Sequence, residues 1–226
     1  MSIAPHSILF RYGKKISEDK LVDTMIYDGL IDAFNNYHMG VTAENIAKKF
    51  DISKKEQDEF ALNSQKKTED AIKNNKFDDE LIKIDQGDNM LDLDEHPRKG
   101  LKISDLEKLK TVFKENGTVT PGNSSGINDG AAALILASAN AIRKYNLNPL
   151  ARILSFADTA HEPAWFTTAP TYAAPKALSL AKLALNDVDY FEVNEAFSVV
   201  PLVFNKILNI DTVSYTHLTL PTNREV

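Results

Sequence analysis

The sequence contains no cysteine among its 226 residues. That absence excludes disulfides, thiolate-held metals and any thiol nucleophile within the chain. Long apolar runs are missing too. The longest, Ala131 to Ala137, has the length of a buried strand and falls far short of the ~20 residues that span a bilayer. Positive charge is in deficit, with 26 Lys and Arg against 32 Asp and Glu and a net charge of −6. A chain of that balance lacks the basic patch or stripe of a nucleic-acid surface, so neither nucleic acid nor a membrane is expected as a partner. His6, His38, His96 and His161 lie far apart and show no pairing such as H-x-x-x-H, so no metal site is expected. The start, M-S-I-A-P-H, shows neither a signal-type apolar region nor an Arg-rich amphipathic segment.

What is present is an ordinary globular composition, 43% hydrophobic and 26% charged, sized for one large domain or two small ones. The first part is charged and helical in pattern. Leu21 to Phe34 carries apolar residues at helical spacing, and Thr42 is placed to cap a helix through Phe50. Ser53 and Glu56 have the spacing of a capping box for a long helix to about Lys73, with Phe60, Ala61, Ser64, Thr68, Ala71 and Ile72 along one face. Glu80 to Asp85 alternates as a strand does, Gly87 turns the chain, and Leu101 to Leu109 reads as a short helix.

The texture changes at Gly117, where glycines and a proline precede the apolar run 131–137, which reads as a strand covered on both faces. Ser138 is placed to cap a helix from Ala139 to Tyr145. Further strands are predicted over Ala151 to Ala157 and Tyr190 to Val193, with helices over Thr171 to Leu185 and Ala196 to Ile207. Strand alternating with helix predicts α/β layers around a parallel sheet, after a helical α+β portion. Residues 213–226 fit neither period. Val213 to Thr222 back-translates as GTC TCT TAT ACA CAT CTG ACG CTG CCG ACG, the codons of a transposase-type sequencing adapter read in frame, so a non-native tail is expected there.

Four pieces carry a family resemblance in their order and spacing: H-M-G from His38, the Phe50 to Ser64 helix, G-T-V-T-P-G-N-S-S-G-I-N-D-G-A-A-A from Gly117, and N-E-A-F from Asn194. Together they resemble the thiolases. The stretch His161 to Pro170 is more similar to the acetoacetyl-CoA type, the acetyl-CoA acetyltransferases, than to the long-chain degradative type. The resemblance implies a layered α/β/α fold of two similar halves with an inserted coenzyme A-binding loop domain. On that template residues 1–116 are the loop domain, 117–148 the return into the first half, 149–212 the opening of the second half, and 213–226 the foreign tail. Met1 aligns just past the family's nucleophilic cysteine. The resemblance therefore implies an internal fragment, with the catalytic cysteines and a G-H-P histidine outside it.

The implied reaction condenses two acetyl-CoA to acetoacetyl-CoA, or runs in reverse, with coenzyme A thioesters as substrates and no separate cofactor. Asn194 matches the asparagine that orients a water in the enolate oxyanion hole; by its position alone it could also cap the next helix. Ser125 matches the serine that contacts the pantetheine, or serves as a turn serine at a strand entry. Met39 and Phe113 match residues lining the pantetheine or adenine path, Arg98 (or Lys99 after a slip) the adenine-nucleotide contact, and Ala196 and Phe197 the coenzyme A wall. A fragment without thiolates is expected to be inert. Expected of its parent are a homodimer or homotetramer and cytoplasmic or mitochondrial residence. A non-catalytic acyl-CoA-binding or scaffold protein, built from a degenerate thiolase, is the alternative.

Overall fold

The computed structural model describes residues 2–8 and 21–210. Residues 213–226, the expected foreign tail, lie outside the described residues. Among those described, seven α-helices and three two-stranded antiparallel hairpins are connected by long irregular segments. The hairpins are β1 (His6–Ser7) with β2 (Val22–Asp23), β3 (Ile31–Asp32) with β4 (Tyr37–His38), and β5 (Ile84–Asp85) with β6 (Met90–Leu91). Gly87, at φ 88°, makes the tight return of the third hairpin, a conformation that favours glycine.

The helices are α1 (Thr24–Gly29), α2 (Met39–Phe50), α3 (Lys54–Lys73), α4 (Ile103–Glu107), α5 (Ala139–Tyr145), α6 (Pro170–Ala181) and α7 (Val199–Leu208). The Ser53–Glu56 capping box forms as the sequence predicts, and α3 stops at Asn74. Ser138 caps α5. Other starts differ. The helix expected over 21–34 contracts to one short turn flanked by hairpin strands, because the Asp23 side chain caps at Met25 and Ile26. Helix α2 begins three residues before Thr42, since the His38 ring accepts a hydrogen bond from the Gly40 amide at 3.0 Å and takes the cap itself.

The main core packs α2 against α7 and the 3₁₀ segment Pro163–Thr168. Ala43, Ile46 and Ala47 meet Val199, Val203 and Phe204, with Val119 and Phe197 closing the cluster. Burying side chains of this size contributes roughly 1.5–3 kcal/mol each for the larger ones. Two cations bind the periphery. Lys206 donates to the otherwise orphaned Phe50 carbonyl at the end of α2 at 2.6 Å, and Lys49 sits 4.2 Å from the Trp165 ring centroid.

Three predicted strands do not form. Residues 131–137 and 151–157 carry no regular structure, and 190–193 holds only an isolated bridge residue, Phe191. A strand exists by exchanging backbone hydrogen bonds with a neighbour, and no described residue supplies a ladder for these segments. Leu134, Ile135 and Leu136 stand 92%, 93% and 79% exposed. The second segment lies along α6, where Ser155 Oγ donates to the Ala177 carbonyl at 2.6 Å and Lys176 Nζ to the Asp158 carbonyl at 3.0 Å.

Candidate functional site

Three residues singled out from the sequence, Met39, Phe113 and Phe197, meet at the N-terminal end of α2. Phe113 stacks on the His38 ring (centroids 4.6 Å apart, planes at 22°) and meets Phe197 edge-on at 6.2 Å. Gly40 allows this stack. A Cβ there would lie 2.2 Å from the Phe113 ring, so the position has no room for a side chain. Met39, half-buried beside Gly40, anchors the corner by donating its amide to the Leu30 carbonyl at 2.8 Å.

Ser125 and the N-E-A-F segment are joined directly. The Ser125 amide donates to the Ala196 carbonyl at 3.0 Å, the Ser198 amide donates to the Asn123 carbonyl at 2.9 Å, and Ser124 and Phe197 form an antiparallel bridge. This clasp, with Phe113 and Phe197 at one side, places Ser125 across from the segment that carries Asn194. Asn194 itself is exposed, while its neighbour Glu195 is buried at 2% and accepts from Ser64 Oγ at 2.9 Å. Asn194 does not cap α7: the residue at that cap is Ser198. Arg98 is exposed, and its backbone is tied to α3 through its amide, which donates to Gln65 Oε1 at 2.9 Å. The adjoining His96 ring crowds Gly126, where a Cβ would lie 2.7 Å from the ring.

Beneath the clasp lies a buried polar network that the sequence pattern did not reveal. Asn123, fully buried, uses every hydrogen-bonding group it has. Its Nδ2 donates to Asp58 Oδ1 at 2.9 Å and to the Thr118 carbonyl at 3.1 Å, while its Oδ1 accepts from the Thr120 amide at 2.8 Å. Asp58 also receives Lys54 Nζ at 2.5 Å. The buried Glu44 carboxylate accepts from the Thr118 and Val119 amides at 2.8 Å and from Thr118 Oγ1 at 3.0 Å. Satisfied in this way, buried polar groups rigidify a site instead of destabilising it. The buried face of α3 is therefore more polar than expected: Gln57, Asp58 and Gln65 join Ala61, Ser64 and Thr68, and Phe60, Ala71 and Ile72 are only half-buried. The one available signal was the run of small and polar residues at helical spacing.

Two histidines at this corner have lowered pKa values. Burial pushes the His38 pKa below its ordinary value, and its Nδ1 is the acceptor of the Gly40 amide. His96 is likewise lowered, first by burial, although Asp94 opposes the shift. Among the described residues no cluster of His, Asp and Glu has the arrangement of a metal site, and no helix is long and apolar enough to cross a membrane.

A helix N-terminus, a glycine-backed aromatic stack and a serine clasped to the N-E-A-F segment make up this corner of the fold. Residues 1–140 match the thiolase N-terminal domain and residues 147–218 the thiolase C-terminal domain. The chain belongs to the thiolase family. It is 44% identical over 215 residues to the acetyl-CoA acetyltransferase of Paracoccus denitrificans and 45% identical to that of Rhizobium meliloti, in each case across 93% of this chain. It spans 55% of the length of those two relatives. Among solved structures it superposes on human mitochondrial 3-ketoacyl-CoA thiolase in complex with CoA with a TM-score of 0.91 at 38% identity, covering 96% of this chain and 55% of that one. For the Bacillus anthracis acetyl-CoA acetyltransferase the TM-score is 0.88 at 33% identity, covering 96% and 57%. The layered α/β thiolase fold is thereby established, with the unpaired segments 131–137 and 151–157 running through it without ladders.

Proposed function

We propose that this chain is the coenzyme A platform of an acyltransferase that condenses two acetyl-CoA to acetoacetyl-CoA and CoA, or runs the reverse thiolysis. The observation that supports this reading is the clasp: it sets the serine matched to pantetheine binding opposite the segment bearing the oxyanion-hole asparagine. In this reading Met39, Phe113 and Phe197 wall the pantetheine path, and Ser125 and the Ala196 backbone border it. Arg98 faces the nucleotide end. The reaction first transfers an acetyl group from sulfur to a protein thiolate, releasing CoA. A base then takes the α-proton of a second acetyl-CoA, its enolate carbon attacks the acyl-thioester carbonyl, and the thiolate leaves. Asn194 orients the water that donates to the enolate oxygen.

The chain has no thiolate to offer, so it performs neither transfer on its own. Calorimetry with CoA and a coupled condensation assay test both halves of the proposal. Binding without turnover is expected, whereas turnover by the cysteine-free chain, or no difference in binding between the chain and its Ser125→Trp variant, overturns it. The same lack of cysteine supports a second reading, a non-catalytic acyl-CoA binder. Reading the transcript at the natural locus separates the two. A cysteine nucleophile encoded in frame with this chain supports the acyltransferase, and a complete frame without one supports the binder. A homodimer or homotetramer belongs to the acyltransferase reading, and size measurement of the cysteine-bearing protein tests it.

A further inference from the structure

We infer that α3 is the element that holds the two coenzyme A-binding segments in place, with Asp58 as the positioning residue for the pantetheine end and Gln65 for the nucleotide end. The inference rests on the coenzyme A reading and adds to it two side chains that act through others.

Asp58 and Gln65 lie two turns apart on α3, on one face and separated by about 10 Å along the helix axis. Both are buried, at 1% and 6% exposure. Each reaches a segment distant in sequence, and those two segments carry the contacts assigned to opposite ends of the ligand.

At the first, Asp58 Oδ1 accepts from Asn123 Nδ2 at 2.9 Å. Asn123 Oδ1 accepts in turn from the Thr120 amide, and Ser124 Oγ donates to the Thr120 carbonyl at 2.8 Å, which closes the turn leading into Ser125. The serine matched to pantetheine thus follows closely on a residue bonded to α3. At the second, Gln65 Oε1 accepts from the amide of Arg98 itself at 2.9 Å. One turn further along, Glu69 Oε2 accepts from the Gly100 amide at 3.3 Å. The tie between the two segments themselves is looser, since the His96 Nδ1 and Asn128 Nδ2 atoms are 3.4 Å apart, long for a hydrogen bond.

Apolar packing tolerates small slides, whereas a hydrogen bond weakens steeply as it is misaligned. Bonds from one helix to both segments therefore fix where each lies. A ligand gripped at both ends keeps its gain in affinity only while the two grips keep their spacing.

Binding of CoA and of its two halves, pantetheine and adenosine 3′,5′-bisphosphate, tests this by ligand-observed NMR on the chain and two variants. Gln65→Met keeps the side-chain length and removes the acceptor. Asp58→Leu removes the other acceptor, while Lys54 Nζ retains its bond to the Leu106 carbonyl at 3.0 Å. Expected for Gln65→Met is a loss of about tenfold for CoA and for the bisphosphate, with pantetheine unchanged. Expected for Asp58→Leu is a loss of about tenfold for CoA and for pantetheine, with the bisphosphate unchanged. General loosening of the fold would weaken all three ligands alike and cannot produce opposite selectivities. If far-UV circular dichroism shows Asp58→Leu unfolded, Gln65→Met decides with the same ligands. Absence of CoA binding by the unaltered chain overturns the coenzyme A reading and this inference with it. CoA binding in which a folded variant loses all three ligands equally or none of them, or in which either half fails to bind the unaltered chain, overturns this inference alone.

Discussion

Two regions of the same chain treat apolar and polar residues in opposite ways. Around α2, α3 and α7, even carboxylates are buried, and each is tied to a partner distant in sequence: Glu44 to the amides of Thr118 and Val119, Asp58 to Asn123, Glu195 to Ser64. From Gly130 to Phe156, by contrast, large aliphatic and aromatic side chains stand in solvent, Phe156 at 86%. Hydrophobicity does not explain the difference, since the exposed region is the more apolar. Availability of partners does. A loop that can satisfy a buried carboxylate with successive amides draws that carboxylate inward. An apolar strand without a ladder has unsatisfied backbone on both edges and cannot be buried by its side chains alone.

Five measurements sharpen or break this contrast. The largest effect is expected for Glu44→Ala, which strips the Thr118 and Val119 amides of their acceptor and should cost about 3 kcal/mol, read as a fall in the urea midpoint. An unchanged midpoint would mean that the buried carboxylate is incidental. Next is Gly40→Ala. Its methyl must displace the Phe113 ring, and an overpacking loss of roughly 1–3 kcal/mol is expected, with loss of the near-ultraviolet signal of the aromatic stack. Ser64→Ala removes one buried hydrogen bond to Glu195 and should cost about 1 kcal/mol, with faster amide exchange along 195–198.

The fourth is a pH effect at His38. Its folded pKa lies below 6.5 because the ring is partly buried, so as pH falls the unfolded chain takes up the proton first. The stability from this group is complete above about 6.5 and is lost as pH falls from there through the folded value. Protonation also turns the Nδ1 acceptor into a donor and breaks the cap to Gly40. His96 adds a change of the same sign. His38→Asn, which retains a capping oxygen without titrating, should flatten part of the melting-temperature decline over that range, a smaller change than any above. An equal decline in the variant would remove His38 from the account. In the exposed region, Ile135→Ser in dilute monomer should stay within about 0.5 kcal/mol of the parent, and a larger loss would show hidden packing there.

Much of the local structure was legible. The Ser53–Glu56 box, the Ser138 cap and the stop at Asn74 follow from side chains that reach their own backbone within a turn. Among the motif residues, Met39, Phe113, Ser125, Ala196 and Phe197 lie at one corner of the fold, and Arg98 is tied to α3 through Gln65. Their service to coenzyme A is tested by binding, as above. The strands expected over 131–137, 151–157 and 190–193 were legible as patterns and do not form among the described residues. Apolar run length reports what a segment would do beside a ladder, and no described residue supplies one. The His38 cap was overlooked because a ring nitrogen two residues from the amide performs the task usually read from Ser, Thr, Asp or Asn.

By itself the sequence determined the Ser53 and Ser138 caps, the stop at Asn74, the family motifs and the want of a thiolate, because each is a matter of residue type or of contacts a few positions apart. Only the tertiary structure decided which polar side chains are interior, that Ser125 and the Asn194 segment are clasped together, and that 131–137 is bare. Those outcomes depend on partners 65 to 131 positions away in the chain, as between Asp58 and Asn123 or Ser64 and Glu195. No local pattern encodes whether such a partner will arrive.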